Sequence, residues 1–261
     1  MKYCKAIPSL VVAIITILLL NIPLEAQQSD DVYLKFDYLQ VKQGTDDQFL
    51  KVQRNHVKPL MQSRLEKGEI LGWYQYRFVY PGGTSRSYNY LTVTLYTDLA
   101  QLERENSDSK IMQAHARRAG VSTLSHSEIW KKVIELDNQP QNFRESKYMM
   151  LDYMDVTPGM DYEYQMLEDE VARPIHQERI VDEALAGWEV YQLILPGGVN
   201  YGYDFVTGNF FGSLEHLEYG FTEEYISRAH PGEDMQEIFE LVFDTRDLVR
   251  SEVWIQVDAV N

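Results

Sequence analysis

Two arginines, Arg64 and Arg179, hold the same place in two stretches of this chain that repeat at an offset of 115 residues. Each falls on what reads as the core-facing side of a helix. A guanidinium left unpaired there would cost several kcal/mol, so each needs an acceptor. Asp37 and Asp152, matched at the same offset in the middle of a strand, are the acceptors to expect. Such a pair either fixes helix-to-strand packing or lines a pocket between helix and sheet. In the pocket reading Gln53 and His56 complete the first copy, with His56 as the base and the Arg64 and Asp37 pair positioning a substrate, and Glu168 completes the second copy. Tyr88 and Tyr203, also matched, would add hydroxyls able to grip a planar or polar ligand.

Histidines repeat as well. His115 and His230 align inside AHARR and AHPGE, near the end of a helix. A histidine so placed serves as a haem ligand, as an acid/base group, or as a charge compensating the helix dipole. No cofactor is called for by these residues; haem is left open through the two histidines, and flavin is not decided either. His126 with Glu128 and His216 with Glu218 are HxE pairs without a third ligand, so no metal site is expected. No GxSxG segment marks a serine hydrolase, and the two PGG runs belong to turns rather than to a phosphate loop.

The elements that must position these groups can be read from the repeat itself. Tyr33 to Glu103 aligns without a gap on Tyr148 to Glu218, with 20 of 71 positions identical, among them Pro59 and Pro174, Trp73 and Trp188, and the segments GWYQYRFVYPGG and GWEVYQLILPGG. Each copy is long enough to be a domain. Within the first, VYLKFDYLQV predicts a strand, Gly44 and Asp46 supply a turn and a helix N-cap, and a helix runs to about Gly68. On that helix Phe49, Gln53, His56, Leu60 and Arg64 share one face at 100° per residue, answered by Tyr164, Glu168, Val171, Ile175 and Arg179. Two hairpin strands, Ile70 to Tyr80 and Tyr88 to Thr97, come next; a second helix starts at Asp98, and SEIWKKVIEL closes the copy as SEVWIQVDAV closes the other.

The order β-α-β-β-α-β is the split arrangement of a ferredoxin-like domain, whose antiparallel sheet carries both helices on one face and needs cover on the other. The expected fold is therefore α+β, with two such domains, 27–138 and 148–261, joined by a polar linker at 139–147 and covering each other as an intrachain pseudo-dimer. The second copy carries nine extra residues between Glu218 and Ser251, including Pro231 and Gly232, which read as a lid or an edge loop.

The element order, the length of each copy, and the long first helix leading into an aromatic strand and hairpin resemble the dimeric α/β barrel superfamily, here as a tandem duplication. That group includes small antibiotic-biosynthesis-type monooxygenases, haem-degrading enzymes, chlorite-dismutase-like haem proteins and stress-response barrel proteins. The resemblance implies a substrate pocket between helix and sheet.

Composition bounds the rest. With 44% hydrophobic and 25% charged residues the chain is globular, and its net charge of −16 repels phosphate backbones, so nucleic acid is not an expected partner. Lys2 and Lys5 precede an apolar run from Leu10 to Leu20 and a polar stretch from Ala26, the pattern of a cleaved signal peptide over 1–26, with no membrane insertion of the mature chain. Cys4, the one cysteine, falls inside it, so the exported part holds no disulfide and no thiolate. The expectation is an exported protein, periplasmic or secreted, that binds a small aromatic or apolar molecule between helix and sheet. The alternatives are a cofactor-independent monooxygenase or isomerase, a haem-handling protein, or a non-enzymatic assembly module. A homo-oligomer is left open.

Overall fold

The computed structural model describes residues 31–82, 87–137, 146–198 and 201–261. The expected leader at 1–26 and most of the expected linker at 139–147 lie outside the described residues. Eight antiparallel strands are β1 (Tyr33–Val41), β2 (Gly72–Tyr80), β3 (Tyr90–Tyr96), β4 (Ser122–Asp137), β5 (Tyr148–Val156), β6 (Gly187–Leu195), β7 (Phe205–Phe211) and β8 (Arg246–Val260). They close into one barrel in the order β1-β3-β2-β8-β5-β7-β6-β4. Closure uses the two long last strands. β4 stays paired with β1 and on its other edge pairs with β6, opposing Trp130 to Leu193, and β8 likewise stays paired with β5 and pairs with β2, opposing Trp254 to Phe78. Fusing two open sheets at both edges leaves no unpaired edge.

Alternation along the strands sorts each residue into the lumen or the helix-facing shell. In β1, Leu34, Phe36 and Tyr38 point inward, while Lys35 and Asp37 point to the helices. The lumen is packed with aromatics, including Trp130, Trp254, Tyr76 and Tyr191, and is organised around buried carboxylates. Tyr38 donates to Glu128 at 2.9 Å and its hydroxyl meets that of Tyr153 at 2.8 Å, joining the two copies along the pseudo-symmetry. Glu252, the counterpart of Glu128, accepts from Tyr88 at 2.6 Å and from Arg250 Nε at 2.9 Å. His126 stacks on Tyr38 where, in the other half, the Arg250 guanidinium lies 3.7 Å above Tyr153.

Outside the barrel each copy carries a long helix interrupted by a π-helical turn. The first is α1 (Asp46–Val52), the turn Gln53–Val57 and α2 (Lys58–Glu66); the second is α5 (Asp161–Leu167), the turn Glu168–Ala172 and α6 (Arg173–Val181). Between them α3 (Leu99–Ser107) and α4 (Ser109–Arg118) form the second helical segment of the first copy, and α7 (Glu223–Ala229) and α8 (Met235–Thr245) that of the second, after a short 3-10 turn at Leu214–Glu218. Thr45, and not Asp46, is the N-cap of α1. Asp46 occupies the first turn and accepts from the Tyr90 hydroxyl at 2.9 Å, while Gly44 adopts a positive φ of 79°. Asp98 caps α3 through the Gln101 amide at 2.8 Å, as its position predicts. Among the described residues no helix is long and apolar enough to cross a membrane.

The π turn explains one departure from the expected helix face. It adds a residue to a turn, so the buried stripe of the first copy runs Phe49, Gln53, Val57, Met61, Arg64. His56 and Leu60 are rotated off it. His56 is exposed, and its Nδ1 lies 3.3 Å from Arg117 Nη1 on the surface.

Candidate functional site

The two helix-facing shells have diverged. In the first copy Arg64 pairs with Glu105 at 2.7 Å, and Asp37 pairs with Lys35 at 3.2 Å and accepts from Ser127 Oγ at 2.5 Å. The expected Arg64 to Asp37 pair is therefore corrected. Lys35 stands between them, bonded to Glu105 at 3.0 Å, and relays one carboxylate to the other. Burial alone would raise the Glu105 carboxyl, yet Lys35 and Arg64 beside it hold it down at about 2. This is a closed ionic network. Gln53 and Gln75 are fully buried, and among the described residues neither amide group has a hydrogen-bond partner.

The second copy replaces the plug. Met150 stands at the position of Lys35, Phe211 at that of Tyr96, and His176 at that of Met61. What remains is a cavity of about 290 Å³ between the α5–α6 helix and the barrel, lined on its polar side by Asp152, Glu168, His176, Arg179, Asn209 and Arg246. Trp188, Phe211 and Phe221 form apolar walls, and His176 stacks on Trp188 at 4.6 Å. Thus Asp152, Glu168 and Arg179, all named from sequence, do meet at one cavity.

The electrostatics of this cavity differ from those of a packing pair. Arg179 has no ion pair among the described residues: its Nη1 donates to His176 Nδ1 at 2.9 Å, its Nε has no partner, and burial draws its pKa down to about 10. Asp152 accepts instead from Asn209 Nδ2 at 3.0 Å and from Ser251, and burial raises its carboxyl. The expected Arg179 to Asp152 pair is corrected accordingly. Glu168, projecting from the π turn, is buried beside the Tyr164 ring, and burial pushes its carboxyl up to about 7, with Arg246 nearby working against that rise. Arg246 and His216 also line the cavity, and Arg246 Nε and His216 Nδ1 have no hydrogen-bond partner among the described residues. Two guanidinium groups, two carboxyls and two imidazoles thus converge on one partly open cavity, with one carboxyl poised to gain or lose a proton near neutral pH.

Several residues named from sequence lie elsewhere. Tyr88 and Tyr203 sit in the loops before β3 and β7 and turn into the barrel end, bonding Glu252 and Glu128 rather than the helix-to-sheet cavity. His115 belongs to the first copy, where burial and Arg118 lower its pKa to about 4. His230 ends α7 with Nε2 3.0 Å from the Val171 carbonyl, which fixes its proton there. His176, Asn209 and Arg246 were missed. His176 is betrayed only by the π turn, which brings it onto the buried face, and Arg246 closes the segment lengthened by nine residues, where the two copies fall out of register.

A haem does not fit these donors. Iron ligation needs an imidazole lone pair. His115 lies in the other copy, His230 is held by a carbonyl, and His176 spends its Nδ1 lone pair on Arg179, so its other nitrogen carries the proton. His216 stands half-buried at the mouth, on a cavity whose floor is the carboxyls of Asp152 and Glu168, a poor seat for an apolar macrocycle.

No family model and no curated protein matches the chain. Solved structures do. One, from Fusobacterium nucleatum, carries a provisional monooxygenase description; it superposes with a TM-score of 0.60 at 11% identity over 89% of this chain and 95% of its own. A chlorite dismutase variant from Candidatus Nitrospira defluvii gives 0.54 at 12% over 87% and 92%, and a heme-binding protein from Thermus thermophilus gives 0.50 at 11% over 87% and 91%. Together with the closed barrel, these likenesses define the fold: this chain has the dimeric α/β barrel fold, with the two ferredoxin-like halves written in tandem. At such identities the likeness speaks for architecture, and the chemistry rests on the cavity.

Proposed function

We propose that the second copy of this barrel binds a small organic acid in its helix-to-sheet cavity and that Glu168 exchanges a proton with the bound molecule. The observation that carries this reading is the juxtaposition of a carboxyl held at about 7 with two arginines, Arg179 and Arg246, that have no ion pair among the described residues. The guanidinium groups anchor a carboxylate. Trp188 and Phe221 flank the body of the ligand. Ionised Glu168 then takes a proton from the carbon next to the anchor, and the enolate charge that forms is held by the same arginines. Such proton removal is the opening step of isomerase-type and oxygenase-type chemistry alike, and it agrees with the monooxygenase description carried by one of the fold's neighbours. The first copy, plugged by Lys35, Glu105 and Arg64, serves as the structural half.

Deuterium exchange tests it. With phenylacetate as probe in deuterated buffer, proton NMR follows loss of the methylene signal. The expected result is exchange accelerated by the protein, rising with pH through about 7, abolished by Glu168→Gln and weakened at least tenfold in apparent affinity by Arg179→Ala. Binding without any exchange would reduce the reading to a ligand-binding protein; no binding would remove it. The Lys2, Lys5 and Leu10 to Leu20 pattern supports export of the chain, which N-terminal sequencing of protein from the producing cell checks.

A further inference from the structure

A second cavity, of about 160 Å³, lies against the first and is lined almost wholly by apolar side chains, among them Leu167, Ile175, Ile226, Ile238, Val242 and Phe243. The two share Glu168, Phe221 and Arg246 as a common wall. One lobe is therefore polar and cationic, the other apolar, and the carboxyl held at about 7 stands at their junction. The roof of the apolar lobe is α8, part of the segment enlarged in the second copy. Its sequence MQEIFELVFDT is apolar on the lobe side, yet Phe239 and Phe243 remain 40% and 72% exposed, so the helix covers the lobe without sealing it.

We infer that the two lobes are one binding site and that its ligand is an amphipathic monocarboxylate: an acid head at Arg179 and Arg246 and an unbranched apolar tail beneath α8. This rests on the organic-acid reading above and adds the tail. The argument is one of matching surfaces. A short acid would leave the apolar lobe wet beside Ile238 and Val242, whereas a tail of several carbons removes that surface from water. An apolar molecule lacking the acid would bury two guanidinium groups without an acceptor. Only a ligand with both ends satisfies both lobes, and the exposed aromatic edge of α8 gives the tail its entrance.

Isothermal titration calorimetry of the full chain with butanoate, hexanoate and octanoate, each below its micellar concentration, provides the test, with octanamide as the uncharged control. The affinity is expected to rise about fourfold for each added methylene, as full burial of each implies, and octanamide is expected to bind at least tenfold more weakly than octanoate. Val242→Trp, which fills the lobe, should erase the gain with chain length while butanoate binding is retained; Ile238→Phe is the second filling variant should the first fail to fold. Equal affinity for butanoate and octanoate overturns the tail assignment and leaves the organic-acid reading in place. A chain-length gain unchanged in the folded filling variant also overturns it, since the tail would then lie elsewhere. Failure of every carboxylate to bind overturns both.

Discussion

Replacing Glu168 by glutamine should change how the stability of this protein responds to pH, by an amount set by the cavity. The side chain is 5% exposed, and burial raises its carboxyl from the ordinary 4.5 to about 7. Because the folded state holds the proton more tightly than the unfolded chain, the native protein binds the extra proton between these two values, and stability falls as pH rises through that window. At about 1.4 kcal/mol for each tenfold difference in proton affinity, the loss approaches about 3 kcal/mol once pH exceeds 7. Glutamine keeps the volume and carries no charge, so the Glu168→Gln variant escapes this loss. His176 contributes a slope of the opposite sign, since burial and Arg179 depress its pKa well below 6.5 and stability from that group is lost on acidification. That slope is common to both proteins and cancels in their difference. Urea unfolding of the two chains at about pH 4 and about pH 8 measures it: the variant should gain about 3 kcal/mol relative to the parent between the two. A difference in unfolding free energy that does not change with pH would refute the placing of this carboxyl in a desolvating cavity, and with it the acid/base role.

The first copy yields predictions about packing. Arg64→Met leaves Glu105 with Lys35 and the Tyr96 hydroxyl as partners and should cost about 3 kcal/mol, the usual penalty for breaking a buried pair, read as a lower midpoint of thermal unfolding; because the network belongs to the first copy, octanoate binding should persist in the folded variant. Gln75→Met exchanges an amide without a protein partner for an apolar chain of similar length and should be neutral or stabilising by about 1 kcal/mol, as chemical denaturation will show. His56→Ala should alter stability by less than about 0.5 kcal/mol, since the ring is exposed, and should leave phenylacetate exchange at the parent rate; a loss of exchange would place the working site in the first copy instead.

Much of the architecture is legible in the residues because it depends on local periodicity and on the repeat. Strand alternation in VYLKFDYLQV, the matched Trp73 and Trp188, and the order of elements lead to two ferredoxin-like halves, and the barrel has them. The mutual covering takes a form that periodicity does not show: β4 and β8 cross to the other half and close the barrel edge to edge. The tyrosines that looked like a ligand grip, Tyr88 and Tyr203, lie where the loops fold back, and loop direction is not encoded in a two-residue or 3.6-residue period.

The candidate site was half legible for a similar reason. Asp152, Glu168 and Arg179 could be named because the repeat marks Asp152 and Arg179 as matched and the helical period sets Glu168 on the same face. His56 and the Arg64 to Asp37 pair went astray because one π turn shifts the helix phase and because Glu105, distant in sequence, reaches Arg64 first, while Lys35, two residues from Asp37 on the same strand, takes that carboxylate. What the sequence by itself determined is the duplicated α+β fold and the presence of ionisable groups on the helix-facing side of each copy, since both depend on spacing along the chain. What only the tertiary structure decided is which copy stays open: that depends on whether side chains from three separate elements fill the same volume, and in the first copy Lys35, Glu105 and Arg64 do, whereas in the second Met150 and Phe211 leave room for a ligand between Arg179 and Glu168.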